Sequence, residues 1–62
     1  MPIIQVELLK GRTVEQKREM VRKVTDAVTE TLSCPKEEVS IIIREMELEN
    51  FAHAGVLISD SK

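Results

Sequence analysis

The sequence predicts an α/β fold (α+β in some schemes): a single β-α-β unit with parallel strands, followed by a short C-terminal strand or hairpin. Three observations carry that reading. An apolar alternation opens the chain, a long helical stripe follows it, and three consecutive isoleucines, Ile41-Ile42-Ile43, come after a helix stop. Strand, helix and strand joined by a crossover of this length form a βαβ unit, whose strands run parallel. Residues 1–62 make one domain, with no repeat, linker or low-complexity stretch.

Residues 2–9 are the first strand. Ile4, Val6 and Leu8 point to one face, and Ile3, Gln5, Glu7 and Leu9 to the other, so one face is a good core face. Lys10-Gly11-Arg12 breaks the pattern. Thr13-Val14-Glu15-Gln16 then matches the capping box, in which Thr and Gln side chains satisfy backbone amides at a helix start. The helix runs to about residue 32 on a stripe of Val14, Val21, Val24, Val28 and Leu32 with Ala27, its other faces charged. Ser33-Cys34-Pro35 stops it, because the residue before proline is pushed out of the helical region. A polar turn, Lys36-Glu37-Glu38, leads to a second strand over residues 39–46, with both faces expected to be covered. The alternation Met46, Glu47, Leu48, Glu49 tracks the end of the sheet. The tail from Ala54-Gly55 onward reads as a strand or hairpin that docks on a neighbour.

A chain of 62 residues buries only roughly 60% of the surface its unfolded form exposes, so the isolated subunit is expected to be marginal. One helix covers one face of a two-stranded sheet, and the other face needs a second subunit. With one cysteine, Cys34, and one histidine, His53, neither disulfides nor a structural zinc site is on offer, which leaves self-association as the stabiliser. The unpaired thiol and the lack of a basic, then apolar, leader point to the cytoplasm. Nine Lys and Arg against eleven Asp and Glu, unclustered, and Phe51 as sole aromatic argue against nucleic acid, for want of a basic surface and a stacking platform. No apolar run approaches the roughly 20 residues of a membrane span.

Chemistry is expected at two places. If Met1 is removed, Pro2 becomes a secondary amine at the chain terminus, where an unperturbed pKa of roughly 7.7 to 8.0 suits a base near neutrality; otherwise Pro2 merely starts a strand. Arg12, just before the helix N-cap, adds a guanidinium to a position already favourable for an anion and fits a carboxylate; standing alone, it reads as a solvated loop residue. Pro2 and Leu9 are about 23 Å apart along an extended strand, so Pro2 and Arg12 cannot share a site inside one subunit. They meet if two first strands pair antiparallel about a twofold axis. His53 and Cys34 have no such context and read as a surface residue and a small apolar group, and Glu37 and Glu38 as a solvated turn.

These residues, in this order, resemble the 4-oxalocrotonate tautomerase family. The likeness is carried by Pro2 after Met1, Leu8-Leu9-Lys10-Gly11-Arg12-Thr13, Glu15-Gln16-Lys17, Ile42-Ile43-Arg44-Glu45-Met46, and Phe51 with Gly55, and it covers almost the entire chain. The resemblance implies a single tautomerase-like domain assembled as a homohexamer, a trimer of dimers. It implies a cofactor-independent isomerase acting on small enol or dienol carboxylic acids such as 2-hydroxymuconate. Within it Pro2 is the general base and acid, Arg12 holds a substrate carboxylate, and Phe51 forms part of an apolar wall that lowers the amine pKa. Leu9, Ser40 and Arg44 are further candidate positions.

At Ser40 the chain departs from the pattern, because the best-known members of that family have a second, substrate-binding arginine there. Arg44 shares the strand face of Ser40, but four residues amount to roughly 13 Å, too far for direct replacement. Loss of the contact opens two alternatives: a phenylpyruvate-type keto-enol tautomerase with weak dicarboxylate activity, or a catalytically idle oligomeric binding protein.

Overall fold

Strand β1 (Ile3–Leu9) and strand β2 (Ser40–Met46) lie side by side and parallel, in a register that pairs Ile3 with Ser40 and Leu9 with Met46. Parallel pairing requires the chain to travel back between them, and helix α1 (Val14–Leu32) makes that return. The computed structural model describes residues 1–61. Both strands start one residue later than the alternation alone implies, because Pro2 and Val39 lie just outside the ladder; Pro2 nevertheless contributes its carbonyl, which accepts the Ser40 N–H at 3.0 Å.

The helix begins where the capping box places it. The Thr13 hydroxyl accepts the Gln16 N–H at 3.1 Å, and the Gln16 side chain accepts the Thr13 N–H at 3.0 Å. It ends at Ser33, whose left-handed backbone (φ 55, ψ 47) turns the chain and whose N–H still reaches Thr29 O. Met20, Val21, Val24 and Val28 are half-buried toward the sheet, together with Lys17 and Thr25. Val14, Ala27 and Leu32, counted in the stripe from spacing, are exposed. For Val14 and Leu32 the physical reason is length: a helix of 19 residues at about 1.5 Å each overhangs a strand pair of seven, so apolar residues at its ends have no sheet beneath them. The Lys17 ammonium meets the Glu45 carboxylate at 2.7 Å and ties the helix to β2. Pairs of Arg18 with Glu15 and Arg22 with Glu19 line its solvent side. The hydrogen bond from Arg22 holds the Glu19 carboxyl below its ordinary value.

A short 3₁₀ turn (Lys36–Glu38) precedes β2, and another (Leu48–Asn50) follows it. The sheet therefore stops at Met46, and the polar–apolar alternation beyond it belongs to a turn. The tail does form a hairpin, starting two residues earlier than Ala54. Strand β3 (Ala52–His53) pairs antiparallel with β4 (Val56–Leu57), and Ile58 N–H closes onto Phe51 O at 2.9 Å. Its two-residue turn needs positive φ at both central positions, and Ala54 (φ 54) and Gly55 (φ 82) supply them.

One sheet face, carrying Ile4, Val6, Leu8, Ile41 and Ile43, is half-covered by α1. The other carries Ile3, Gln5, Glu7 and Leu9 beside Ser40, Ile42, Arg44 and Met46, and among the described residues it is left largely open, with only Leu9, Ser40 and Met46 half-buried. Ile3 is 58% and Ile42 40% exposed, so the expected coverage of both faces of β2 is not met inside one subunit. Among the described residues no side chain is fully buried. The radius of gyration is 14.8 Å, against about 11 Å for a compact chain of this length. The accessible surface is 4846 Å², against about 4,000 Å² for a compact monomer of 7.0 kDa. The chain is a slab 43 × 23 × 13 Å in extent. Light scattering on a size-exclusion column is expected to return a multiple of the subunit mass at micromolar concentration; a stable folded monomer would contradict this account.

Candidate active site

The candidate residues fall at the two ends of the strand pair. Pro2 sits at the N-terminal end of β1, half-buried, its carbonyl fixed by the Ser40 N–H. That bond joins the two residues as closely as main chain allows, and places Ser40 on the open face beside Ile3. Met1 precedes Pro2 and is 82% exposed. While it is attached the Pro2 nitrogen is an amide with no basic lone pair, and its removal converts that nitrogen to an amine.

Leu9 and Arg12 lie at the opposite end. Lys10 N–H donates to Met46 O at 2.9 Å, holding the end of β1 against the end of β2. Gly11 follows at φ 133, a conformation essentially reserved for glycine, and turns the chain into the capping box. A Cβ there would meet no atom within 4 Å, so the requirement for glycine is one of backbone and not of space. Arg12 is exposed, and its Nη1 lies 3.5 Å from Leu9 O. Phe51 follows β2 through the Leu48–Asn50 turn, 41% exposed, its carbonyl held by Ile58.

The electrostatics set Arg12 apart from every other arginine. Arg18 and Arg22 pair with helical carboxylates, and Arg44 pairs with Glu7, its direct neighbour across the sheet, at 3.3 Å. Arg44 is therefore already neutralised on the open face. Nearby, Lys10 meets Glu47 at 2.8 Å, and that hydrogen bond raises the Lys10 pKa above its ordinary value. Lys17 is taken by Glu45. Among the described residues only Arg12 and Lys36 carry a side-chain cation with no acid partner. A guanidinium left free in this way is open to an external carboxylate.

No enclosed cleft exists among the described residues, and no group of three or more acidic, Cys or His side chains is set to hold a metal. His53 is exposed in β3, and Cys34 is a half-buried free thiol just past the helix cap. No helix among the described residues is long and apolar enough to cross a membrane. Sequence reading passed over Lys36 as part of a polar turn, since the absence of a partner shows only in three dimensions.

A family model described as "Tautomerase enzyme" matches residues 2–61. The chain is 47% identical over 60 residues to 2-hydroxymuconate tautomerase of Bacillus subtilis (strain 168), covering 97% of both proteins. It superposes with a TM-score of 0.93 and 47% identity on a 4-oxalocrotonate tautomerase isozyme from Methylibium petroleiphilum, covering 97% of this chain and 94% of the other. A heterohexamer 4-oxalocrotonate tautomerase from Chloroflexus aurantiacus J-10-fl gives a TM-score of 0.92 at 27% identity, with both chains fully covered.

Replacing Gly11 with alanine forces a side chain into backbone geometry it rarely adopts, at a cost of about 1–3 kcal/mol. Gly11→Ala is thus expected to lower the Tm in thermal unfolding at fixed protein concentration, and an unchanged Tm would show that the loop carrying Arg12 is not held in this form.

Proposed function

The chain belongs to the tautomerase family, whose members are isomerases, and from that premise we propose that it interconverts enol and keto forms of small unsaturated carboxylic acids. Dienol acids like 2-hydroxymuconate are the leading substrates, after the name of the Bacillus subtilis relative. The observation that carries the reading is the placement of Pro2 and Arg12. The one arginine without an acid partner lies at the far end of a seven-residue strand from the one residue able to become a secondary amine. Antiparallel pairing of two such strands brings each Pro2 to the Arg12 of the neighbour, and a dimer then holds two sites.

In this site the Arg12 guanidinium of the neighbour binds the substrate carboxylate through a charge-assisted fork and fixes the reacting carbons over Pro2. The free Pro2 amine takes the proton of the enol hydroxyl as the C–O bond gains double-bond character and the electron pair moves toward carbon. The resulting ammonium then delivers that proton to carbon, and the amine is regenerated. The step involves no net oxidation or reduction, and no proton is gained or lost overall. An apolar surround disfavours the ammonium and lowers the amine pKa from about 7.7–8.0 toward neutrality, where a group serves best as both base and acid. Phe51, together with the exposed Ile3 and Ile42, supplies apolar surface for that surround once subunits close over it.

Two variants test the assignment in a spectrophotometric ketonisation assay, on protein whose intact mass shows Met1 removed. Pro2→Ala is expected to lower kcat by about 100-fold or more, the usual contribution of a positioned acid–base group. Arg12→Ala is expected to raise KM by about ten-fold or more, the loss of one charge-assisted contact. A Pro2→Ala rate equal to that of the unaltered protein would overturn proline catalysis, and full retention of Met1 in the cell-derived protein would favour an idle binding role.

A further inference from the structure

The end of the strand pair that carries Pro2 is built from neutral residues. Ser40 is tied to Pro2 across the sheet: its N–H donates to Pro2 O at 3.0 Å, and the register sets it beside Ile3 on the open face. It is half-buried, and among the described residues no other group bonds to its hydroxyl. The exposed Ile3 and Ile42 complete this stretch of surface.

The charges of the subunit lie elsewhere. Arg44 shares the face of Ser40 but is four residues along the strand, roughly 13 Å away, and Glu7 holds it at 3.3 Å. Lys36 is exposed in the 3₁₀ turn before β2, and no contact directs its ammonium toward Pro2. Arg12 belongs to the far end of β1 and reaches Pro2 only from a neighbour. Every copy of the chain brings the same Ser40, so closing subunits over this end adds apolar surface and hydroxyls but no cation from that position. A carboxylate held here loses water and gains only neutral hydrogen bonds. Removing an ionised carboxylate from water without a counter-charge is costly, whereas a methyl group against Ile3 and Ile42 gains by the same move.

We propose that Ser40 makes the enol end of the site selective for a neutral group, so that the chain takes dienols whose carboxylate lies remote from the enol carbon and is held by Arg12 of the neighbour. This names the substrate class of the tautomerase reading and rests on that reading and on the shared site. 2-Hydroxymuconate fits through its remote carboxylate. Its other carboxylate, beside the enol, is tolerated and not recognised.

The test measures ketonisation of three dienols by protein with Met1 removed, each kcat/KM being divided by the uncatalysed rate. 2-Hydroxymuconate has both carboxylates, and 2-hydroxypenta-2,4-dienoate has only the one beside the enol. 5-Hydroxyhexa-2,4-dienoate carries a methyl group in place of that one and keeps only the remote carboxylate. The unaltered protein is expected to accept the methyl dienol at least as well as the diacid, and 2-hydroxypenta-2,4-dienoate about ten-fold less well or worse. Ser40→Arg is expected to raise kcat/KM about ten-fold for the two dienols with a carboxylate beside the enol and to leave the methyl dienol unimproved. Lys36→Gln is expected to keep all three within about two-fold of the unaltered protein. The ranking by the unaltered protein needs no variant, so it decides even where Ser40→Arg assembles poorly. A preference for 2-hydroxypenta-2,4-dienoate over the methyl dienol overturns the proposal. So does an assembled Ser40→Arg protein that shifts all three alike or none, or a selective loss of the diacid in Lys36→Gln. Failure of the underlying reading looks different: Pro2→Ala then matches the unaltered protein on all three.

Discussion

A two-stranded sheet has two faces, and this chain has one helix with which to cover them. Everything else in the structure follows from that shortfall. The helix covers Ile4, Val6, Leu8, Ile41 and Ile43 only in part, and the opposite face keeps Ile3 and Ile42 in solvent. Burying a large aliphatic side chain contributes about 1.5–3 kcal/mol, so a subunit in which no described side chain is fully buried forgoes most of the usual driving force. Association would restore it. The exposed Phe51, Val56 and Leu57 of the hairpin, and Val14 and Leu32 at the overhanging helix ends, add apolar surface suited to the same end.

The incomplete core and the incomplete site have one cause. A slab 13 Å thin along its shortest axis has no depth for a cleft, and its chemical residues are strung out along a strand. In the proposed pairing an antiparallel neighbour would correct both at once, because the operation that covers apolar surface would also carry Arg12 to Pro2. Charge pairing within the subunit sharpens the outcome. Glu7, Glu45 and Glu47 occupy Arg44, Lys17 and Lys10, and so leave Arg12 and Lys36 as the cations available to a carboxylate.

Much of this was legible in the residues. The alternation of Ile4, Val6 and Leu8 and the Thr13–Gln16 box gave the first strand and the helix start almost to the residue, because both rest on local backbone geometry. Val14 and Leu32 were misplaced because periodicity reports the direction of a side chain and not whether anything lies beneath it. The hairpin was read from Ala54-Gly55, which is its turn, while its first strand, Ala52–His53, is too short to leave a pattern. Pro2 and Arg12 stood out by chemistry and position. Lys36 did not, since its distinction is the lack of a partner, and partners 37 residues apart such as Glu7 and Arg44 become visible only after folding.

The claim that Pro2 and Arg12 act across a subunit boundary is tested most directly by complementation. Pro2→Ala and Arg12→Ala proteins, unfolded together and refolded as a mixture, form mixed pairs in which one site has both residues intact. Random pairing predicts recovery of about a quarter of the unaltered activity from two parents that are each nearly inactive. A mixture no more active than the average of its parents would place both residues in the same subunit's site, or in none, and would contradict the account.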